Sequence, residues 1–237
     1  MRIKKAMLVF RKDWLEISRN WQILLPMLIL PLLFAILFPL LLILISGTSE
    51  SSMNFGELEN ILKNLPQNMQ SRIKDMTPTQ IIIYIMALYL FAPFFLIIPV
   101  MISGVIASDS FAGEKERKTI EALLATPLTD EELFLGKMLV SFIPSIAITI
   151  ISFLIYSICV DVLSLSVFDG VLLLPNLDWI LLIFGLAPTM ALTSIGVTVM
   201  ISAKVKGVRE AQQISGILMI PILALIFGQV MGALILE

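Results

Sequence analysis

The stretch I-L-L-P-M-L-I-L-P-L-L-F-A-I-L-F-P-L-L-L-I-L-I, residues 23–45, decides the class of fold, because it runs for 23 residues without a charged side chain. About 20 apolar residues in a helix are enough to cross the roughly 30 Å hydrocarbon core of a bilayer. Four further runs have the same character, and they cover residues 81–107, 138–160, 179–201 and 214–236. The sequence therefore predicts an all-α polytopic membrane protein, with five transmembrane helices forming a single domain over residues 1–237.

The overall composition agrees with a membrane protein and excludes most soluble enzymes. Hydrophobic residues make up 58% of the 237 residues and charged residues 14%, against about 45–50% and about 25% in soluble domains. The chain has no histidine and a single cysteine, Cys159. Histidine-ligated metal sites, Ser–His or Cys–His catalysis and internal disulfides are therefore excluded. The formal net charge of −2 gives no reason to expect a nucleic-acid partner.

Lys and Arg are distributed unequally between the two sides of the predicted spans. The segments 1–22, 108–137 and 202–213 together carry thirteen of them, whereas the segments on the opposite side carry three. Short segments rich in Lys and Arg remain in the cytoplasm. The sequence therefore predicts a multi-pass protein of the cell membrane with a cytoplasmic N-terminus. After an odd number of spans, Glu237 is expected outside.

The N-terminal segment, residues 1–20, has the pattern of an amphipathic helix. Five apolar residues recur in it at spacings of three or four, namely Ile3, Met7, Phe10, Trp14 and Ile17. Such a helix is predicted to rest in the headgroup region with its apolar face toward the lipid. The alternative is a cytosolic cap that packs on the protein itself.

Two segments on the predicted outer side have weaker patterns. The outer loop 47–80 contains a helical apolar face that ends before Pro66, which predicts a short amphipathic helix on the outer surface. The apolar stretch Val162–Leu174 is too short to span the bilayer. It is predicted to be an interfacial or re-entrant segment.

The predicted cytoplasmic loop 108–137 contains the most informative pattern in the chain. It reads S-D-S-F-A-G-E-K-E-R-K-T-I-E-A-L-L-A-T-P-L-T-D-E-E-L-F-L-G-K. Thr119 is suited to cap a short helix at its N-terminus, and Pro127 prevents that helix from continuing. Thr129, with Glu132 three residues later, has the signature of a capping box. The loop is therefore predicted to contain two helices, the second of which leads into the third span.

The first of these two helices is more apolar than a free cytoplasmic turn requires, because it contains Ile120, Leu123 and Leu124. Exposed apolar residues surrounded by charges are typical of a docking site for a soluble partner. An amphipathic connector lying on the inner leaflet would have the same periodicity. The pattern by itself leaves both interpretations open.

Four segments carry a resemblance to a known family. The run E-K-E-R-K-T-I-E-A-L-L-A-T-P-L-T, residues 114–129, resembles the hallmark loop of the type-2 ATP-binding-cassette (ABC) transporter permeases. The run E-E-L-F-L-G-K, residues 131–137, is similar to the family's lead into the third span. The run A-K-V-K-G-V-R-E-A-Q-Q-I-S-G, residues 203–216, is similar to its short turn before the fifth span, and K-D-W-L-E-I-S-R-N, residues 12–20, resembles its connector helix. The resemblance covers nearly the whole chain and points to the sodium- and drug-export-like branch.

The resemblance implies a coupling helix that inserts into a nucleotide-binding subunit. The residues to which it assigns this role are Glu116, Arg117, Thr119, Ile120, Glu121, Leu123, Leu124, Thr126 and Pro127. ATP and Mg²⁺ are then expected on a partner ATPase, with no cofactor on this chain, and a second permease copy or a homologous permease is expected to complete the transporter. Members of the family usually have six spans and two cytoplasmic termini, one span more than the five predicted here.

The spans themselves favour a transporter that receives its energy from another subunit. They contain no Asp, Glu, Lys or Arg, whereas proton- and sodium-coupled transporters generally use ionisable residues inside the membrane. The chain also has no G-x-x-x-x-G-K-(S/T) phosphate-binding loop, so it is not expected to hydrolyse ATP or to be an enzyme. Together with the resemblance, this predicts the permease subunit of an ABC transporter, for which the resemblance implies export. The alternative is a non-transporting membrane scaffold of a cell-envelope complex.

Overall fold

In the part of the chain that it describes, the computed structural model consists of helices joined by short turns. This part comprises residues 3–48, 73, 76–119, 121 and 126–235. The helices in chain order are α1 (Ile3–Ser18), α2 (Trp21–Thr48), α3 (Pro78–Ile85), α4 (Ala92–Ser108), α5 (Asp130–Val167), α6 (Leu177–Leu181), α7 (Ala187–Lys204), α8 (Val208–Ser215) and α9 (Met219–Ile235). Wider π-helical turns over Met86–Leu90, Asp109–Gly113 and Leu182–Leu186 adjoin α3, α4 and α6, and a single α-helical turn, Glu114–Glu116, follows the second of them.

Five helical segments of the described residues are long and apolar enough to cross a bilayer, as the sequence predicts. They are Trp21–Leu44, Pro78–Glu116, Asp130–Val167, Leu177–Lys204 and Val208–Gln229. The helices extend past the apolar runs, so that both ends of the predicted loop 108–137 are helical. The first part of Val162–Leu174 is likewise the end of α5 rather than a separate segment. The helix predicted within the outer loop 47–80 lies outside the described residues.

A cluster of aromatic side chains, which we call the aromatic cluster, lies where α4, α5 and α6 meet. It consists of Phe95, Phe153, Tyr156 and Trp179, all of which are buried. The ring of Trp179 lies 5.0 Å from that of Phe95 and 5.2 Å from that of Tyr156, measured between centroids. Ring pairs at these separations stabilise a core beyond the area that they bury.

The polar atoms of the aromatic cluster bind backbone carbonyls at the π-helical turn Met86–Leu90. Tyr156 donates its hydroxyl hydrogen to the carbonyl of Ala87 at 2.8 Å, and the indole N–H of Trp179 donates to the carbonyl of Leu88 at 3.1 Å. In the π register the carbonyl of Leu88 would pair with residue 93, which is a proline without an N–H. A buried carbonyl requires a hydrogen-bond donor, and Trp179 supplies to Leu88 the donor that Pro93 lacks.

Helix α1 packs against the start of α5. The residues of α1 that are buried are Ala6, Val9, Asp13 and Ile17. The approach is closest at Gly136, where a β-carbon would lie 2.7 Å from the carbonyl oxygen of Ala6 and from the β-carbon of Val9. The absence of a side chain at Gly136 is therefore what allows the two helices to meet.

The buried face of α1 differs from the apolar stripe that the sequence marks. Ile17 is buried as expected, but Ile3 and Met7 are 69% and 48% exposed. The protein-facing stripe instead contains two smaller residues, Ala6 and Val9, which fit the close contact with Gly136. Helix α1 thus contacts the protein with one side and leaves apolar side chains exposed on another, and its predicted place at the membrane interface stays a prediction.

Candidate functional site at the charged end of the bundle

Charged residues from four parts of the chain meet at one end of the bundle, which we call the charged end. It comprises α1, residues 109–117, the first two turns of α5 and the α7–α8 turn, residues 204–208. The π-helical turn Asp109–Gly113 continues α4 into the turn Glu114–Glu116. This continuous helix carries the motif E-K-E-R, residues 114–117, to a position between the other parts.

Lys137 of α5 lies at the centre of the charged end and is 2% exposed. Its ammonium nitrogen is 2.6 Å from Glu114 Oε2 and 3.7 Å from Asp13 Oδ2, and it donates a hydrogen bond to the carbonyl of Ser110. The hydroxyl of Ser110 in turn donates to Asp13 Oδ2 at 2.7 Å. Buried charges are tolerated when they are paired and hydrogen-bonded in this way.

Lys12 closes the network from the solvent side. Its ammonium nitrogen lies 2.6 Å from Glu114 Oε1 and 3.0 Å from Asp13 Oδ1. Partial burial lowers the pKa of Lys12. The hydrogen bond with Glu114 and the charge of Asp13 raise it by more than burial lowers it, so the pKa of Lys12 lies above its ordinary value. The stabilising contribution of Lys12 is therefore present at neutral pH and is lost only as the pH rises through this raised pKa.

Arg117, the last residue of the motif, joins the end of the second span to α1. Its guanidinium lies 2.8 Å from Glu16 Oε1 and 3.3 Å from Asp109 Oδ1. Glu16 and Arg117 are each 40% exposed along their side chains. Exposed ion pairs contribute little to stability. The main effect of Arg117 is therefore to hold residue 117, where the loop begins, close to α1.

Lys115 and Glu116 bind the opposite side of the charged end. Lys115 donates from its ammonium group to the carbonyls of Ala203 and Val205 at 3.1 and 2.8 Å. Glu116 Oε2 accepts a hydrogen bond from the backbone N–H of Val208 at 2.9 Å. The four consecutive residues 114–117 therefore contact α1, α5, the end of α7 and the start of α8.

Two of the residues that the sequence assigns to partner binding lie within this anchored motif and the others follow it, and their role stays a prediction. Glu116 and Arg117 have the partners within the chain described above. Thr119 is exposed and donates from its N–H and its hydroxyl to the carbonyl of Glu114. Glu121 is helical and exposed. Thr126 and Pro127 lie in a bend and are also exposed. Ile120, Leu123 and Leu124 lie outside the described residues.

The far end of the loop has the cap that its sequence predicts. The N–H of Glu132 donates to the hydroxyl of Thr129, and the N–H of Thr129 donates to Glu132 Oε2, both at 3.3 Å. Helix α5 begins at Asp130 and continues without a break into the third span. Lys5 of α1 adds a further tie, because it donates to the carbonyl of Pro127. Both ends of the loop are thus fixed to the body of the protein.

An open, largely apolar cleft lies beside this loop. It is lined by Phe111, Leu133 and Phe134, with Asp130 and Glu131 at its edge. Phe134 is 43% exposed. Exposed aromatic surface bordered by charges is the composition of a protein-binding site.

Sequence reasoning missed Asp13 and Lys137 as members of the site. Asp13 shares a helical face with Val9 and Ile17, and this position indicates that Asp13 is buried. The sequence of α1 does not indicate which residue pairs with Asp13. Lys137 directly precedes the apolar run 138–160, where a lysine is common at the end of a membrane span and is usually exposed. Their partners are Ser110 and Glu114, which are distant in sequence.

The charged end has the chemistry of a structural joint. Within the described ranges no group of three or more Asp, Glu or Cys side chains is arranged to hold a metal ion. Its carboxylates are engaged with lysine and arginine side chains. The arrangement can hold a loop rigidly and transmit a force applied to it.

These observations define an integral membrane protein whose charged contacts at one end of the bundle hold both ends of one loop. The chain belongs to the ABC-2 transporter family, because the family model described as ABC-2 family transporter protein matches residues 7–237. It is accordingly a membrane permease of this family rather than an enzyme. Comparisons with curated proteins and with solved structures gave no match.

Proposed function

We propose that this chain is the permease subunit of an ABC exporter, and that residues 117–129 form the docking loop for a separate ATPase. One observation carries the proposal: both ends of the docking loop are anchored. At one end residues 114–117 contact four parts of the protein, and at the other the capping box of Thr129 and Glu132 begins α5. A movement applied to such a loop reaches several helices at once.

The anchoring favours a docking loop over a connector that lies on the lipid. A surface connector needs no fixed orientation relative to the helices, whereas a docking element does, because binding energy is lost when flexible groups must be ordered. Membership in the ABC-2 family supports the same choice. ATP and Mg²⁺ are expected on the ATPase, and a second permease copy or a homologous permease is expected to complete the transporter. Within the family we place the chain near the sodium- and drug-export-like branch.

The orientation of the docking loop follows from the distribution of Lys and Arg. Because most of them lie on the side of α1 and the docking loop, this side is expected in the cytoplasm. A cysteine in place of Lys206, in a background with Cys159→Ser, should react with a membrane-impermeant thiol reagent only after the membrane is opened. A cysteine in place of Asn176, at the other end of the bundle, should react in intact cells. The reverse pattern would contradict both the orientation and the docking loop.

The docking itself is tested by shortening its predicted anchors. The central apolar residues of an interface typically contribute about 2 kcal/mol or more each. Leu123→Ala combined with Leu124→Ala should therefore weaken binding of the ATPase by at least about tenfold. Glu121→Lys should also weaken it, because a positive charge is unfavourable in the first turn of a helix.

The matched control is Val171→Ala combined with Leu172→Ala, because these two apolar residues are about 60% exposed at the opposite end of the bundle. The control should bind the ATPase as the unchanged protein does. The measurement is copurification of the ATPase from membranes, at equal expression of each variant. Equal binding by the Leu123 and Leu124 variant would leave the scaffold as the better interpretation.

A further inference from the structure

The α7–α8 turn is joined to the base of the docking loop by two adjacent residues of opposite charge. Lys115 contacts the carbonyls at the end of α7, and Glu116 contacts the first N–H of α8, as described above. The last carbonyls of a helix carry partial negative charge and its first N–H groups partial positive charge. Each of the two side chains therefore contacts the helix end that complements its charge.

The fit between Glu116 and the turn depends on Gly207. A β-carbon at residue 207 would lie 2.8 Å from Glu116 Oε2 and 3.3 Å from its carboxyl carbon. The backbone of Gly207 is extended, with φ −159°, a conformation that any residue adopts. Glycine here leaves room for the Glu116 carboxylate in its present position, which a β-carbon would force it to leave, and is not needed for backbone freedom.

The apolar contacts beside these bonds hold the same elements together. Ala112 of the π-helical turn, Val205 of the α7–α8 turn and Ala211 of α8 form a small buried cluster. Helix α8 continues through the single turn Gly216–Leu218 into α9. A displacement of residues 112–116 therefore has a short, packed route to the last span.

We propose that Lys115 and Glu116 are positioning residues that make the docking loop and the α7–α8 turn one mechanical unit. Movement of a bound ATPase then reaches α8 and α9 through Glu116, in addition to reaching α1 and α5 through Glu114 and Arg117. This inference rests on the proposed function, because it requires an ATPase that moves the docking loop. It assigns the last span a direct mechanical input.

The test compares two substitutions of Glu116, of which only one keeps a hydrogen-bond acceptor. Glu116→Gln keeps an oxygen that can accept the hydrogen bond from Val208, whereas Glu116→Ala removes it. The permease is reconstituted with its ATPase in lipid nanodiscs, and backbone hydrogen exchange is measured with and without an ATP analogue that is not hydrolysed. In Glu116→Ala without nucleotide, exchange at residues 208–211 should be about fivefold faster, the factor expected for the loss of one helix cap.

The nucleotide response separates positioning from a merely structural role. Nucleotide should change exchange at residues 204–215 in the unchanged protein and in Glu116→Gln, and the change should be smaller in Glu116→Ala, in which only the contacts of Lys115 and of the apolar cluster remain. The response is compared at equal amounts of bound ATPase, and α1 should still respond to nucleotide in all three. Lys204→Ala, a change at an exposed residue of the same turn, should respond like the unchanged protein.

A second set of variants tests the contact sterically. Gly207→Ala should reduce the nucleotide response at residues 204–215 as Glu116→Ala does, because its methyl group forces the Glu116 carboxylate to shift. Combining it with Glu116→Ala should add no further loss, since the contact is already absent. An undiminished nucleotide response in Glu116→Ala, or losses that add in the double variant, would overturn the inference. Failure of the unchanged permease to bind an ATPase would instead overturn the proposed function on which it rests.

Discussion

The aromatic cluster and the charged end both join the second span to α5, but by different physical means. In the aromatic cluster the polar atoms of Tyr156 and Trp179 bind neutral backbone carbonyls, and stacked rings fill the space around them. At the charged end Lys137 is buried between the carboxylates of Glu114 and Asp13. One region depends on packing and on neutral hydrogen bonds, whereas the other depends on a balance of charges.

This difference indicates which region is suited to movement. Neutral packing in a core is close to an all-or-none arrangement, because displaced rings leave voids. An ion network at the rim of the bundle can exchange partners and remain paired, as Lys12 has three carboxylates within 4 Å. The docking loop is anchored to the second kind of region. The aromatic cluster is therefore expected to act as the fixed part against which the charged end moves.

The largest effect is expected from Lys137→Met. This change keeps most of the volume of the side chain but leaves the carboxylates of Glu114 and Asp13 without their buried cation. Removing one member of a buried ion pair costs about 3–5 kcal/mol. The free energy of unfolding, measured by titration with a denaturing detergent, should fall by that amount.

A second change provides the control for Lys137→Met. Adding Glu114→Gln removes one of the two carboxylates that lost the buried cation, and Lys12 keeps Asp13 as a partner, so the double variant should be more stable than Lys137→Met alone. If the two variants were equally stable, the loss would come from packing and not from an unpaired charge. The ion network would then have no special place in the stability of the charged end.

A smaller effect is expected from Tyr156→Phe in the aromatic cluster. The ring is kept, but the carbonyl of Ala87 loses its donor at 2.8 Å. The loss of one neutral hydrogen bond costs about 0.5–1.5 kcal/mol. Because no charge is involved, the loss should be the same in 0.1 M and in 1 M salt. A loss that depends on salt would contradict the assignment of this region to neutral contacts.

The spans could be predicted from the sequence because their cause is local. Each is a run of apolar residues long enough for the bilayer, and the capping box at Thr129 is a pattern of four adjacent residues. The buried face of α1 could not be predicted in the same way. Hydropathy favours the larger residues Ile3 and Met7, whereas the contact with Gly136 selects the small Ala6.

The charged end was beyond sequence reasoning for a different reason. The hallmark motif indicates that residues 114–117 matter, but the partners of Glu114 and Glu116 are distant in sequence. A charge by itself does not identify its counterpart, because any exposed residue of opposite sign is an equal candidate. Only the packing of α1 on α5 and of α8 on α4 brings these partners together.

The most direct test of the account is the rate of ATP hydrolysis by the ATPase bound to two permease variants. Lys12→Met removes a cation that joins α1 to Glu114 at the charged end, and Tyr156→Phe weakens the aromatic cluster. Measured in nanodiscs and divided by the amount of ATPase bound, hydrolysis stimulated by the permease should fall severalfold in Lys12→Met and stay unchanged in Tyr156→Phe. Equal stimulation in both variants, or a loss in Tyr156→Phe alone, would contradict the claim that the charged end receives the movement of the ATPase.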